Sequence, residues 1–390
     1  MDLITRGNNV IMETYKRFPM VFEKGQGCTL TDNNGKEYLD FVAGIAVNAL
    51  GHCHPGLIDA MKTQMEKLVH VSNLYWSEPG IELAEILTEE SGLDKVFFCN
   101  SGAEACEAAL KLCRVYGKQK KSKEAVEIIA MEQSFHGRTY GAISATGQKK
   151  YQANLEPLLP EIYHVPFNDI DALKAQISPK TCGIILEPIQ GEGGIYPADL
   201  SYLQEVRKIC DEENIVLIFD EVQTGIGRSG KLFAYQQYGV TPDVVTMAKG
   251  LGGGVPIGGI IAKNHVAEVF TPGTHASTFG GNPFVCATAK YVLETLTAPG
   301  FFNSVEKNGA YLKSKLEALK EDHPSIVEVR GMGLIIGVEV SADLSTIVAK
   351  AMEKGLLLIG AGSNAIRFVP PLIVSKVEID QAVQIFSECL

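Results

Sequence analysis

The sequence predicts an α/β fold, with a large domain on a mostly parallel central sheet covered by helices and a smaller α+β domain after it. Three observations carry this. From about Asp94, apolar runs of strand length alternate with helical patterns, as in a parallel sheet covered on both faces. After about Pro283 the order changes, and helices lead while strands follow. The chain has 390 residues, 46% hydrophobic and 21% charged, a globular composition with room for two or three domains.

The elements follow in order. Gly25 to Lys36 reads as two short strands around an Asp32-Asn33-Asn34-Gly35 turn. Lys95 to Cys99 is a short strand. Ala103 to Tyr116 is a helix with Ala105, Ala108, Ala109, Leu112 and Val115 on one face. Further strands are expected at Val126 to Met131, Cys182 to Leu186, Ile215 to Phe219, Val244 to Met247 and Gly258 to Ala262, with a helix at Leu200 to Glu213. Beyond Pro283, helices from Phe284 to Thr297 and Phe302 to Lys320 precede strands Ile326 to Arg330 and Leu334 to Val340. A helix near Leu344 to Lys354, a strand Ile366 to Val369 and a helix Lys376 to Glu388 end the chain.

Composition narrows the function. The net charge of −11 argues against a general nucleic-acid binder, which shows a basic footprint. The N-terminus has no apolar signal core, and no run is long enough to span a membrane, so a cytoplasmic protein is expected. The nine cysteines are scattered without a C-x-x-C pair and read as reduced, mostly buried side chains. His52-Cys53-His54 lacks a second ligand cluster and lies between turn residues Gly51 and Pro55, so no metal is expected.

Lys249 is the chemical landmark. It ends an apolar run and is followed by Gly250-Leu251-Gly252-Gly253-Gly254. The run Ile215 to Phe219 ends in Asp220, and parallel strands would bring both ends to the edge where open α/β sheets bind ligands. A desolvated lysine beside a carboxylate suggests Schiff-base chemistry, although an isolated lysine there is more often a surface residue. Asn100-Ser101-Gly102-Ala103-Glu104-Ala105 opens a helix after a strand and could hold an anion on free N–H groups. Gly225-Ile226-Gly227-Arg228-Ser229-Gly230-Lys231 matches two nucleotide-binding spacings. Five residues separate it from the strand, and Leu232 stands where Ser or Thr is required, so it reads as a surface loop. Arg367, inside an apolar strand, needs a carboxylate partner.

Six segments then arrive in order: Asn100 to Ala105, Phe135-His136-Gly137-Arg138, Glu187-Pro188-Ile189-Gln190-Gly191-Glu192-Gly193-Gly194, Asp220-Glu221-Val222-Gln223-Thr224-Gly225, the Lys249 segment, and Ser277-Thr278-Phe279-Gly280-Gly281-Asn282-Pro283. Together they resemble the class III pyridoxal-phosphate-dependent aminotransferases of fold type I. The likeness covers nearly the whole chain. The length and the stretches Gly44 to Pro55 and Asn73 to Trp76 are most similar to members that act on N-acetylornithine.

The resemblance implies roles. Lys249 would carry pyridoxal 5'-phosphate covalently and then move a proton, and Asp220 would pair with the pyridine nitrogen. Gln223 would contact the phenolic oxygen and Phe135 would stack on the ring. Ser101, Gly102 and Ala103 would bind the phosphate, completed by Thr278 from the other subunit of a homodimer with shared active sites. Arg138, Arg367, Glu192 and Ser277 would bind substrate, with Glu192 closing on Arg367 when the donor is bound. Glu187 would support them, and Tyr75, Trp76 and Asn48 are candidates for reading the acetyl group. The implied domains are an N-terminal segment 1–45 packed with the small domain, a large cofactor domain 46–283 and a small domain 284–390. The implied reaction moves the δ-amino group of N-acetylornithine to 2-oxoglutarate in arginine biosynthesis. Ornithine, succinylornithine, succinyl-diaminopimelate and 4-aminobutyrate are alternative donors. A rearranging aminomutase on the same scaffold is disfavoured by the Arg138 and Arg367 pair. A non-enzymatic regulator on this scaffold would be expected to lack Lys249 or Asp220.

Overall fold

The computed structural model describes residues 2–390. Its largest sheet has seven strands in the order Lys95–Cys99, Gly258–Ala262, Val244–Met247, Val216–Asp220, Thr181–Leu186, Glu127–Met131, Ile162–Val165. Gly258–Ala262 runs antiparallel to both its neighbours, and the other pairings are parallel. The central strands are buried on both faces, which is why they read as unbroken apolar runs. The edge strand Ile162–Val165 was not expected from sequence. Its residues are mostly half-buried or exposed, and they interleave a tyrosine and a histidine.

Helix Gly102–Lys120 covers one face through Ala105, Ala108, Ala109 and Leu112, all buried as their spacing predicts. Val115 is only half-buried. Its first turn points at the C-terminal ends of the parallel strands, where Asp220 is paired in register with Thr246.

The later part of the chain forms a four-stranded antiparallel sheet, in the order Ile326–Met332, Ile335–Val340, Ala365–Phe368, Ile359–Ala361. A third sheet joins Phe22–Gln26, Thr29–Asp32 and Glu37–Asp40 to Leu356–Leu357, so the N-terminal segment shares a sheet with the C-terminal part. Helix Pro283–Leu296 starts where Asn282 caps it, but it packs on helices Pro55–Lys67 and Glu78–Ser91 and on the turn after Lys249. Its contacts are therefore mostly with elements that precede it in the chain rather than with the later sheet. Among the described residues, no helix is long and apolar enough to cross a membrane.

Candidate active site

One cavity of about 420 Å³ opens at the C-terminal edge of the large sheet. Lys249, Asp220, Ser101, Gly102, Ala103, Phe135, Gln223, Arg138 and Glu192 all line it, so nine of the residues singled out from sequence converge on one space.

Asp220 is buried at its strand end. Its Oδ1 accepts from the Thr246 hydroxyl at 2.9 Å and the Val222 N–H at 3.0 Å. Its Oδ2 lies 2.7 Å from His136 Nδ1 and accepts from the Cys106 thiol at 3.3 Å. Burial pushes the carboxyl up, but the His136 hydrogen bond and charge outweigh it and hold it below the usual carboxylate range. Burial likewise pushes His136 down, and Asp220 more than reverses this. The cluster Cys106, His136 and Asp220 has a spacing that a metal ion could use. Asp220 Oδ2 already engages both His136 Nδ1 and the Cys106 thiol, so we read the cluster as a hydrogen-bonded support for Asp220, with His136 Nε2 buried and without a partner among the described residues.

Lys249 opens a 3-10 turn, Lys249–Gly252. Its φ is +44°, in the left-handed region that a non-glycine residue adopts at a cost. Burial lowers its amine pKa and the Arg367 charge adds to this, against the opposing charges of Glu192 and Asp220. A neutral amine is therefore accessible nearer neutrality than for a free lysine. A second strained segment forms the wall beside it. Ala43, Gly44, Ile45 and Ala46 all have positive φ, and Val47 lines the cavity.

Ser101 caps the helix at the cavity, its hydroxyl accepting from the Glu104 N–H at 3.2 Å. Gly102 and Ala103 start that helix, where N–H groups have no carbonyl one turn back. A Cβ on Gly102 would stand 2.6 Å from Val222 Cγ1, so the helix start packs this closely on Val222 only because the residue is glycine. The cavity thus offers anion donors at a helix start, the Phe135 ring, a buried ionised carboxylate and an amine, a set that fits pyridoxal phosphate.

Arg367 is fully buried in its strand. Its Nη1 donates to Glu192 Oε1 at 2.5 Å and to Gln223 Oε1 at 2.8 Å. Its Nε and Nη2 are buried with no partner among the described residues. Burial pushes the Glu192 carboxyl up, and the charges of Arg367 and Lys249 bring it below its usual value. Arg138 stays exposed, its guanidinium 4.2 Å from the Tyr151 ring centroid and 5.4 Å from that of Phe135. Ser277 accepts from Asn100 Nδ2 at 3.2 Å beside the cavity, whereas Thr278 is exposed and does not line it within this chain. Tyr75 and Trp76 are also exposed and away from the cavity walls.

Two cavity residues were given less weight in the sequence than the structure gives them. His136 followed Phe135 in a motif but received no role. Glu187 is a buried cavity residue whose carboxylate accepts from the Phe135 N–H at 3.0 Å and the Gly191 N–H at 3.2 Å. Burial raises its pKa to about 7.

The aminotransferase class-III family profile matches residues 10–390. The chain is 54% identical over 389 residues to the acetylornithine aminotransferase of Caldanaerobacter subterraneus subsp. tengcongensis, spanning 100% of this chain and 99% of that one. It is 53% identical over 381 residues to the acetylornithine aminotransferase of Clostridium acetobutylicum, spanning 97% and 98%. Among solved structures, the ornithine aminotransferase of Toxoplasma gondii ME49 superposes with a TM-score of 0.95 at 33% identity, over 99% of this chain and 93% of that one. The acetylornithine aminotransferase of Elizabethkingia anophelis does so with a TM-score of 0.88 at 32% identity, over 99% and 97%.

Proposed function

The chain belongs to the class III aminotransferases, pyridoxal-phosphate enzymes, and from that premise we propose that it moves the δ-amino group of N2-acetyl-L-ornithine to 2-oxoglutarate. The products are N-acetylglutamate 5-semialdehyde and glutamate, and the setting is cytoplasmic arginine biosynthesis. Action on ornithine-family substrates is common to its relatives. The acetylated donor is supported by the relatives at 54% and 53% identity, which carry that name.

The observation that carries this reading is the unequal state of the two arginines. Arg367 is partly neutralised by Glu192 while Arg138 stands open at the cavity. A donor whose only carboxylate points away from the reacting amine needs one arginine. A dicarboxylate acceptor needs both, and the unpaired Nε and Nη2 of Arg367 suit bidentate carboxylate binding.

Bound pyridoxal phosphate supplies an electron sink for the pair left when the substrate carbon loses its proton. Lys249, as a neutral amine, takes and returns that proton. Asp220, kept ionised by His136, favours a proton on a ring nitrogen set against it. Phe135 offers a ring face, Gln223 an amide for a phenolic oxygen, and Ser101, Gly102 and Ala103 the donors for phosphate. Arg138 takes the donor's α-carboxylate and later the acceptor's γ-carboxylate, while Arg367 takes the α-carboxylate of the acceptor.

The working unit in this reading is a homodimer. Thr278 reaches the phosphate of the partner's site from its exposed loop, and Ser277 beside it borders the substrate path. The ornithine-named structural neighbour at a TM-score of 0.95 supports a second reading, in which free ornithine is the donor. A panel of amino donors against 2-oxoglutarate decides between them. Preference for N-acetylornithine is expected, and a clear preference for ornithine, succinylornithine, succinyl-diaminopimelate or 4-aminobutyrate would overturn the choice.

A further inference from the structure

Gln223 touches both members of the Arg367–Glu192 pair with one amide. Its Oε1 accepts from Arg367 Nη1 at 2.8 Å, and its Nε2 donates to Glu192 Oε1 at 3.2 Å. The segment that carries it is rigid. Glu221, two residues before it, is buried and accepts from the Thr224 hydroxyl and from the N–H groups of Ala234 and Tyr235, each at 2.8 Å. Glu192 is attached differently. It lies in a glycine-rich loop, half-buried, and its own carbonyl accepts from the Gly362 N–H at 2.9 Å.

Gly191 gives this arrangement its room. A Cβ there would stand 2.2 Å from Gln223 Oε1 and 2.6 Å from Cδ. The colliding atoms are the far end of a flexible side chain, so a methyl group would displace the amide rather than the backbone.

We propose that Gln223 is a positioning residue for the acceptor half-reaction: it holds the Arg367 guanidinium by Nη1 when Glu192 lets go, so that Nε and Nη2 stay free for a carboxylate. Glu192 is then the removable partner and Gln223 the fixed one. Without Gln223, release of Glu192 would leave a buried guanidinium with no side-chain acceptor, which is costly and opposes release. Gly191 is part of the device because it leaves space for the amide. The proposal rests on Arg367 being the acceptor's carboxylate site.

The test uses the holoenzyme and glutarate, an unreactive dicarboxylate, with binding measured by calorimetry for the wild type, Gly191→Ala, Gln223→Met and Arg367→Ala. The two half-reactions are followed separately by cofactor absorbance. Gly191→Ala and Gln223→Met are expected to weaken glutarate at least tenfold and to raise the KM for 2-oxoglutarate more than they lower kcat. Both variants should slow the acceptor half-reaction more than the donor half-reaction, whereas loss of the cofactor contact alone would slow the two alike. If both variants bind glutarate as the wild type does while Arg367→Ala does not, the proposal is overturned and the assignment of Arg367 stands. If Arg367→Ala also binds glutarate normally, the assignment fails and the proposal falls with it.

Discussion

His136 Nδ1 lies 2.7 Å from Asp220 Oδ2, and both side chains are buried. Removing one member of a buried ion pair leaves the other charge uncompensated, typically at about 3–5 kcal/mol. Asp220 keeps Thr246 and the Val222 N–H, so His136→Ala is expected to destabilise the protein toward the lower end of that range, read by urea unfolding. The sign with pH follows from the two shifts. Asp220 is depressed, so its contribution is present above its unfolded pKa and fades as pH falls through the folded one. His136 is raised, so its contribution is full below its unfolded pKa and fades as pH rises through the folded one. The variant should therefore fall furthest below wild type in the window between these limits.

Two buried carboxyls give a separate pH dependence. Burial raises Glu187 and Glu221 to about 7 each, from an ordinary value near 4.5. Their folded forms bind protons more tightly than the unfolded chain, so stability contributed below pH 4.5 is lost as pH rises through about 7. Glu187→Gln and Glu221→Gln should each flatten the fall of thermal stability between these values. Unchanged slopes in both would show that these groups titrate normally.

Lys249 combines chemistry with a strained backbone. Lys249→Ala should keep the fold and lose steady-state turnover, because no other amine among the described residues lines the cavity. Borohydride reduction of the wild type should place the pyridoxyl adduct on Lys249. At φ +44°, glycine is preferred to alanine, so Lys249→Gly should be more stable than Lys249→Ala by about 1 kcal/mol in chemical denaturation. Equal stabilities would contradict the left-handed conformation.

The strands and helix that position this chemistry were legible because the central strands are buried on both faces and the helix keeps its apolar residues on one side. What was not legible involves contacts without a local pattern. His136 and Asp220 are 84 residues apart, and no periodicity links them. Asn282 and Pro283 signal a helix start, but nothing in that signal says which domain the helix packs on. The Gly225 to Gly230 segment matched two nucleotide patterns and was expected as a surface loop, but the structure buries all of it. In the structure its Arg228 is buried and donates to the carbonyls of Leu334 and Pro370, tying the large domain to the small sheet.

Gly102 is a sharp test of the helix-start anion site. Gly102→Ala must push Val222 or the first helical turn aside, since the new Cβ would meet Val222 Cγ1 at 2.6 Å. Overpacking of this kind typically costs about 1–3 kcal/mol. Weaker retention of pyridoxal phosphate is expected, measured by titrating cofactor into the stripped enzyme. Retention at the wild-type level would move the phosphate site away from this turn.

Trp76 reports on the proposed dimer without any label, because it is the chain's one tryptophan and it is 91% exposed here. It stands in sequence beside Leu74 and Tyr75, and these three, with Phe279 next to Thr278, are large apolar side chains left open to solvent. Exposed apolar groups of this kind are what the proposed interface would cover. If the second copy covers them, Trp76 fluorescence should be blue-shifted at micromolar concentration and move toward the emission of a solvated indole on dilution, in step with the mass from light scattering. Trp76→Glu should shift the protein to monomer and lower activity in the same proportion, because Thr278 would no longer reach the partner's phosphate site. A solvated emission from a species whose mass is dimeric would place the interface elsewhere, and full activity from a monomer would remove Thr278 from the site.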